Sequence, residues 1–235
     1  MPLKTSDGAL DSRLKTILVV KRILEPLARI PLFWEVFQWF LGGNREKMRI
    51  LRQFFGKIGS DQPREKILEI GCSTGNIAPF FSNFDYTGID TDAASIQRAK
   101  EKFAATQFRF LEGDVTKHPL ISSEAYDYVL ISHTAHHLTD EQFEKILRCC
   151  QNLLKTDGKL IVLDMVKPNH DGPFMKRFCQ QLDRGEYIRN MEEFSRFFGA
   201  KKPFAIVNAQ VIPCIKLGFL AMIDSCLIVA TKPSL

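Results

Sequence analysis

The sequence lacks the cysteine spacings of a metal site or a disulfide framework. Its six cysteines form no Cys-x-x-Cys pair and do not alternate with histidine as zinc ligands do. Cysteines in this arrangement are expected to be reduced and mostly buried, as in a cytosolic protein. We therefore expect no metal cofactor and a cytoplasmic location.

Long apolar runs are also missing. No stretch approaches the roughly 18 uncharged apolar residues that read as a membrane-spanning helix. The opening segment MPLKTSDGALDSRL lacks the basic-then-apolar layout of a secretory signal. The sequence therefore predicts a protein that is soluble or, at most, bound to a membrane surface.

Positive charge is concentrated near the start. The 235 residues have a formal net charge of +5, and residues 1–60 hold 11 Lys and Arg against 5 Asp and Glu. The same segment contains the aromatic run FWEVFQWF, and basic segments with interleaved aromatics can contact nucleic acid or a membrane surface. The plainer interpretation is a helical cap with a solvated basic face.

The periodicity of apolar residues divides the chain in two. Helical spacing dominates residues 10–59, with Pro26 and Pro31 separating short helices and a break at GGN before an amphipathic helix at Arg45–Ile58. The tract GSDQP at residues 59–63 is typical of a linker. We predict an N-terminal helical cap or lid at residues 1–60 and a second domain at residues 61–235.

Short apolar strands alternate with helical patterns in the second domain. The predicted strands are Lys66–Ile70, Tyr86–Asp90, Phe108–Glu112, Tyr126–Ser132 and Lys159–Asp164, with helices at Thr91–Ala105 and Asp140–Leu154. This alternation predicts an α/β fold with a parallel sheet covered on both faces. Two last strands, Phe204–Ile212 and Met222–Thr231, have no convincing helix between them and are expected to form an antiparallel pair.

The stretch LEIGCSTGN after the first strand has two interpretations. Its G-x-S-x-G pattern is that of a serine hydrolase nucleophile turn, with Ser73 as the nucleophile. However, the candidate partners Asp164 and His170 are only six residues apart, and no oxyanion segment precedes them. The alternative is a cofactor loop, because a strand precedes it and a helix is expected to begin at Ile77, with free N–H groups that favour an anion.

Acidic residues at strand ends favour the cofactor loop. Asp90 ends the second strand, 19 residues after Gly71, where a carboxylate can accept hydrogen bonds from both ribose hydroxyls. The alternative for Asp90 is an N-cap of the following helix, a role that Asp92 or Thr91 could also fill. Asp114 ends the third strand, where adenine would be placed.

Five motifs in order, LEIGCSTGN, YTGID, LEGDV, YDYVLISHTAHHL and LLKTDGKLIVLD, resemble those of class I S-adenosylmethionine-dependent methyltransferases. Ser73 stands where the family usually has glycine. The resemblance implies a Rossmann-like seven-stranded sheet in the order 3-2-1-4-5-7-6 with strand 7 antiparallel. It also implies S-adenosylmethionine as cofactor and S-adenosylhomocysteine as product. The cofactor-binding residues that it implies are Glu69, Gly71, Cys72, Ser73, Gly75, Asp90, Thr91, Asp114, Val115 and Ser132.

Three histidines, His133, His136 and His137, follow the fourth strand, where acceptor and cofactor are expected to meet. A neutral histidine could remove a proton from a hydroxyl or ammonium acceptor, and His136 and His137 are preferred for this role. The alternative is that they pack or cap the next helix. The run around Asp183, Arg184 and Arg189 is similar to a bacterial subgroup. These residues could bind an acidic acceptor group or form an internal ion pair.

We therefore predict an enzyme that methylates oxygen or nitrogen of a small molecule. The apolar N-terminal helices suggest a lipid-like or aromatic acceptor and contact with a membrane surface. A nucleic-acid methyltransferase and a non-catalytic Rossmann-type cofactor-binding protein remain as alternatives. A nucleic-acid partner is not expected, because no NPPY-like motif is present.

Overall fold

The computed structural model describes residues 43–55, 64–119, 123–167, 185–217 and 220–233. Several predictions lie outside these ranges: the helices before Gly43, the linker at 59–63, His170, Asp183 and Arg184. The division into domains at residue 60 therefore stays a prediction.

Seven strands form one mixed sheet in the order β3-β2-β1-β4-β5-β7-β6. They are β1 (Lys66–Ile70), β2 (Asp85–Asp90), β3 (Arg109–Glu112), β4 (Tyr126–Ser132), β5 (Leu154–Met165), β6 (Ala205–Leu217) and β7 (Leu220–Thr231). The neighbouring pairs among β1 to β5 are parallel, whereas β7 is antiparallel to both β5 and β6. The predicted fold class, strand order and direction of the last strand are confirmed.

Four α-helices accompany the sheet in the described ranges: α1 (Gly43–Phe55), α2 (Ala93–Lys102), α3 (Asp140–Leu153) and α4 (Met191–Ser195). Side-chain caps fix where three of them begin. Asp92 accepts a hydrogen bond from the N–H of Ala94, and Thr139 and Asn190 form capping boxes at α3 and α4. None of the helices in the described ranges has the length and apolar character needed to cross a membrane.

The core lies on both faces of the sheet, because the central strands are buried on both sides. On one face α3 buries Phe143, Leu147 and Cys150 at helical spacing. On the other face α1 contributes Phe55, whose ring makes edge contacts with Phe81, Phe84 and Tyr128. Aromatic packing therefore anchors α1 to the sheet.

The expected helix at Ile77 is wrong. Ala78–Phe81 form only one 3₁₀ turn, with Pro79 near its start. The turn before it is closed by its own hydrogen bonds, since the N–H of Gly75 donates to the oxygen of Cys72 and that of Ala78 to the oxygen of Gly75. The loop therefore offers no helix N-terminus for an anion. The break predicted at residues 42–44 extends too far, because Gly43 and Asn44 lie in α1, whereas residue 42 is outside the described ranges.

Candidate functional site

A cavity of about 540 Å³ lies at the carboxyl ends of β1, β2, β3 and β4. This volume is in the range of roughly 300–1,000 Å³ typical of ligand pockets. The three histidines and all the predicted cofactor residues except Gly75 line the cavity. The parallel strands explain this convergence, because their carboxyl ends meet at one edge of the sheet.

The glycine-type turn after β1 depends on unusual backbone conformations. Gly71 has a φ of 75° and Ser73 a φ of 49°. The second value explains why the family usually has glycine at the position of Ser73, since a positive φ costs roughly 1–2 kcal/mol for a residue with a Cβ. The N–H of Ser73 donates to Oδ2 of Asp90 at 2.8 Å, which stabilises the turn in this conformation.

Two predicted cofactor residues in this turn pack against neighbouring strands. A Cβ on Gly75 would lie 2.7 Å from the ring of Phe110, so glycine is needed there for packing behind the cavity. Cys72 is buried, and a Cβ on Gly88 would lie 2.7 Å from its Sγ. Burial raises the pKa of the Cys72 thiol well above its usual range, so a thiolate nucleophile is not favoured.

Asp90 presents its carboxylate where the turn and β2 meet. Its Oδ2 accepts from Ser73 N–H, and its Oδ1 accepts from Asp92 N–H at 2.9 Å. A carboxylate oxygen accepts more than one hydrogen bond, so capacity remains for hydroxyl donors. The alternative role as helix N-cap is wrong for Asp90, because Asp92 caps α2.

Asp114 lies at the far end of the cavity, after β3. Its Oδ1 accepts hydrogen bonds from the N–H and the hydroxyl of Thr116 at 2.9 and 2.8 Å. Burial acts to raise the pKa of Asp114, but these hydrogen bonds and the nearby Lys145 and Lys117 outweigh it and lower the pKa. Asp114 is therefore ionised at neutral pH.

Glu69 is a buried acid that is hydrogen-bonded to Tyr86 and interacts electrostatically with Lys47. Its side chain is 3% exposed and accepts a hydrogen bond from the Tyr86 hydroxyl. Burial raises the pKa of Glu69 to about 8; Asp90 adds to the rise, whereas the Tyr86 hydrogen bond and Lys47 oppose it. A cation that entered the cavity would favour the ionised form.

Ser132 ends β4 with a buried hydroxyl. The residue is 5% exposed, lines the cavity, and its Oγ has no hydrogen-bond partner in the part of the chain that the structure describes. Buried hydroxyls are normally paired, so this atom points to a ligand group that would pair with it.

The three histidines differ in their surroundings. His136 is 2% exposed, and its Nδ1 lies 2.5 Å from Oδ1 of Asp164 at the end of β5. His133 is half-buried with a φ of 51°, and His137 is exposed. All three line the cavity, and the ring of His136 is held by a buried carboxylate.

Asp164 holds the segment that follows β4. Besides His136, its carboxylate accepts hydrogen bonds from the N–H groups of Thr134, Ala135 and Met165 at 2.6–3.0 Å. Burial acts to raise the pKa of Asp164, yet His136, His133 and the backbone donor outweigh it and hold the pKa below the usual range. Asp164 was considered as the acid of a hydrolase, but its histidine partner here is His136.

Arg189 lies outside the cavity lining. Its guanidinium is 4% exposed and bonds to Oδ1 of Asp140 and to the carbonyl oxygens of Ala135 and Leu138. It also packs over the rings of three phenylalanines, at positions 143, 194 and 197. Of the two predicted roles, the contacts favour the internal ion pair, with Asp140 as partner.

Sequence reasoning missed Asn44, Lys47 and Thr134, which also line the cavity. Asn44 and Lys47 lie on α1, in the segment predicted to be a cap. Their helical spacing was visible in the sequence, but the packing of α1 against the sheet was not. Thr134 was missed because its position against Gly71 depends on two different strands.

Replacing Gly71 by alanine is expected to disrupt the site. The added Cβ would lie 2.1 Å from Oγ1 of Thr134, whose N–H is held by Asp164, and φ would stay positive. We expect a loss of several kcal/mol of unfolding free energy, or displacement of Thr134 with loss of ligand binding. Chemical denaturation measures the first and ligand calorimetry the second.

Gly199→Ala is the control for this substitution. Gly199 also has a positive φ, of 148°, but no described atom lies within 4 Å of its added Cβ. Equal losses in the two variants would show that the contact with Thr134 is unimportant.

Comparisons with known proteins agree with this geometry. A family profile described as a methyltransferase domain matches residues 67–158. An uncharacterized methyltransferase of Anoxybacillus flavithermus is 30% identical over 107 residues, which are 45% of this chain and 49% of that protein. A demethylmenaquinone methyltransferase of Thermotoga maritima is 24% identical over 122 residues, which are 50% of this chain and 49% of that protein. This chain therefore spans about half the length of these two relatives.

A solved structure extends the likeness over most of the chain. Phosphoethanolamine N-methyltransferase 2 of Haemonchus contortus, in complex with S-adenosyl-L-methionine, superposes with a TM-score of 0.67 at 16% identity. The match covers 91% of this chain and 60% of that one. At this identity the likeness shows a shared fold.

Proposed function

We propose that this chain is a class I S-adenosylmethionine-dependent methyltransferase that moves a methyl group to an oxygen or nitrogen of a small molecule; the methyltransferase-domain profile that matches residues 67–158 supports this. The observation that supports this most is a continuous cavity along four strand ends. Strand-end acids line one part of it and the three histidines another. Cofactor and acceptor would therefore lie in one continuous space.

The residues of the cavity fit S-adenosylmethionine. Asp90 has acceptor capacity for ribose hydroxyls, and Asp114 with Val115 would lie beside adenine. The unpaired Oγ of Ser132 would gain a partner. Gly71, with no side chain, leaves the backbone of the turn accessible next to the methionine part of the cofactor.

The cofactor, when bound, supplies an electrophilic methyl group on a sulfonium. The protein's part is to align the acceptor atom with that methyl group and to exclude water. An oxygen or ammonium acceptor must also lose a proton, for which we propose His136. Its Nδ1 donates to Asp164, because a carboxylate can only accept, so Nε2 is the basic nitrogen of the neutral ring. His133 and His137 are the remaining candidates.

The acceptor is proposed from the N-terminal segment. This basic, aromatic segment supports a lipid-like or aromatic acceptor at a membrane surface, and the cysteine spacing, which does not suggest a disulfide framework, supports a cytoplasmic location. Two similar proteins, a demethylmenaquinone methyltransferase and a phosphoethanolamine N-methyltransferase, have dissimilar acceptors in their names. Neither acceptor is transferred to this chain.

Transfer of a labelled methyl group tests the proposal. The protein is incubated with methyl-labelled S-adenosylmethionine and a cell extract, and the label is then separated into small molecules and nucleic acid. We expect label in the small-molecule fraction that persists after nuclease treatment, and a loss of at least about tenfold in its rate for His136→Gln, since general bases contribute roughly 10²–10⁴-fold. Nuclease-sensitive label would favour the nucleic-acid alternative. Binding of S-adenosylhomocysteine without any transfer would favour a non-catalytic protein.

A further inference from the structure

Helix α1 contributes two polar side chains to the cavity. Asn44 and Lys47 lie three residues apart, on one face of the helix, and both line the cavity that also contains Glu69 and Gly71. Lys47 is only 8% exposed. Lysine is seldom buried to this extent unless its charge is compensated.

Lys47 lies within electrostatic reach of Glu69. The positive charge of Lys47 acts to lower the pKa of Glu69, against the larger effect of burial. The cavity wall at the end of β1 therefore combines a buried ammonium group with a buried carboxyl group. Both groups are close to the turn at Gly71 and Ser73.

An ammonium group and a carboxyl group side by side can bind the two charged groups of an amino acid. The methionine part of S-adenosylmethionine has an α-ammonium, which would favour the ionised form of Glu69 and pair with it, and an α-carboxylate, which would pair with Lys47. The sheet order gives the direction, since β3 with Asp114, β2 with Asp90 and β1 with Glu69 are successive neighbours. A nucleoside placed at the first two acids would extend its amino acid end toward Glu69 and Lys47.

We propose that Lys47 binds the α-carboxylate of the cofactor's methionine part, while Glu69 accepts a hydrogen bond from its α-ammonium. This inference rests on the proposed function. It places part of the cofactor site in the segment at residues 1–60 that the sequence predicted to be a cap or lid. A charged ligand group binds strongly to an opposite charge on the buried cavity wall, because the low dielectric constant there strengthens the attraction.

Calorimetric titration with two ligands tests the role of Lys47. S-Adenosylhomocysteine has the amino acid end, whereas 5′-methylthioadenosine has the same nucleoside and sulfur without it. For Lys47→Met, which keeps an apolar stem, we expect at least about a tenfold weaker affinity for S-adenosylhomocysteine and unchanged affinity for methylthioadenosine. Lys47→Arg should recover part of the loss, because it restores the positive charge.

Arg49→Met is the matched control on the same helix. Arg49 is paired with Glu46, its side chain is 41% exposed, and it is not among the residues that line the cavity. We expect both ligands to bind this variant as they bind the parent.

The possible results distinguish a failure of the Lys47 proposal from a failure of the proposed function. If Lys47→Met lowered the affinity for both ligands equally, or for neither, Lys47 would not bind the α-carboxylate. The proposal that the cavity binds the cofactor would be unaffected. If the folded parent protein bound neither ligand, the proposed function itself would fail.

Discussion

An Asp164→Ala variant is expected to lose about 3–5 kcal/mol of unfolding free energy, because four N–H donors lose their acceptor and each unsatisfied buried donor costs roughly 1–3 kcal/mol. Asp164 is fully buried and accepts from His136 and from three backbone N–H groups. For a chain of this size the loss corresponds to a drop in Tm on the order of 10 °C, measurable by thermal denaturation.

The loss should depend on pH. The pKa of Asp164 is lower in the folded protein than its ordinary value of about 3.9, so the carboxylate stabilises the fold above that value. This contribution is lost as the pH falls toward the folded pKa. The difference in stability between the parent and Asp164→Ala should therefore shrink below about pH 4, as urea titrations at several pH values would show.

Glu144→Ala is the control for removal of a carboxylate. Glu144 pairs with Arg148 and Lys202 on the surface and is 37% exposed. Such pairs contribute about 0–1 kcal/mol. If Asp164→Ala were no less stable than this variant, the contacts of Asp164 would not hold the segment after β4.

The sequence predicted the sheet well because its signals are local. Each predicted strand of the parallel part is a short apolar run before a turn, and the resemblance supplied the strand order. The helix expected at Ile77 was wrong: the chain makes one 3₁₀ turn at Ala78–Phe81 and then enters β2 at Asp85. The short connection joins two neighbouring parallel strands, and no local pattern contains that pairing.

The site was less predictable, since its residues come from distant parts of the chain. Asp90 and Asp114 were visible as acids at strand ends. The pairing of His136 with Asp164 was not, because it requires β4 and β5 to be neighbours in the sheet. Lys47 was assigned to a cap because α1 precedes the linker, although the helix packs back against the sheet.

The segment between β4 and α3 is held in place from two sides. Asp164 holds its first part through Thr134, Ala135 and His136, and Arg189 holds its last part through Ala135 and Leu138. The histidines are thus fixed from β5 on one side and from the chain before α4 on the other. If His136 is the base that we propose, these contacts would already hold it in a fixed orientation before the acceptor binds.

Asp90→Ala is expected to weaken the binding of S-adenosylhomocysteine by about 100-fold or more. The substitution removes the acceptor proposed for the ribose hydroxyls, and hydrogen bonds to a charged group contribute roughly 1.5–3 kcal/mol. It also frees the N–H of Ser73, whose positive φ the carboxylate helps to maintain. Calorimetric titration measures the affinity, and circular dichroism checks that the variant is folded.

Asp85→Ala is the matched control, because Asp85 is an exposed aspartate at the opposite end of the same strand. Its affinity should equal that of the parent. Asp90→Asn separates the two effects of Asp90, since an amide oxygen can still accept from Ser73 but its NH₂ group cannot accept from a hydroxyl. An intermediate loss would assign part of the affinity to the turn. Parent-like affinity in a folded Asp90→Ala variant would contradict any contact between Asp90 and the ribose.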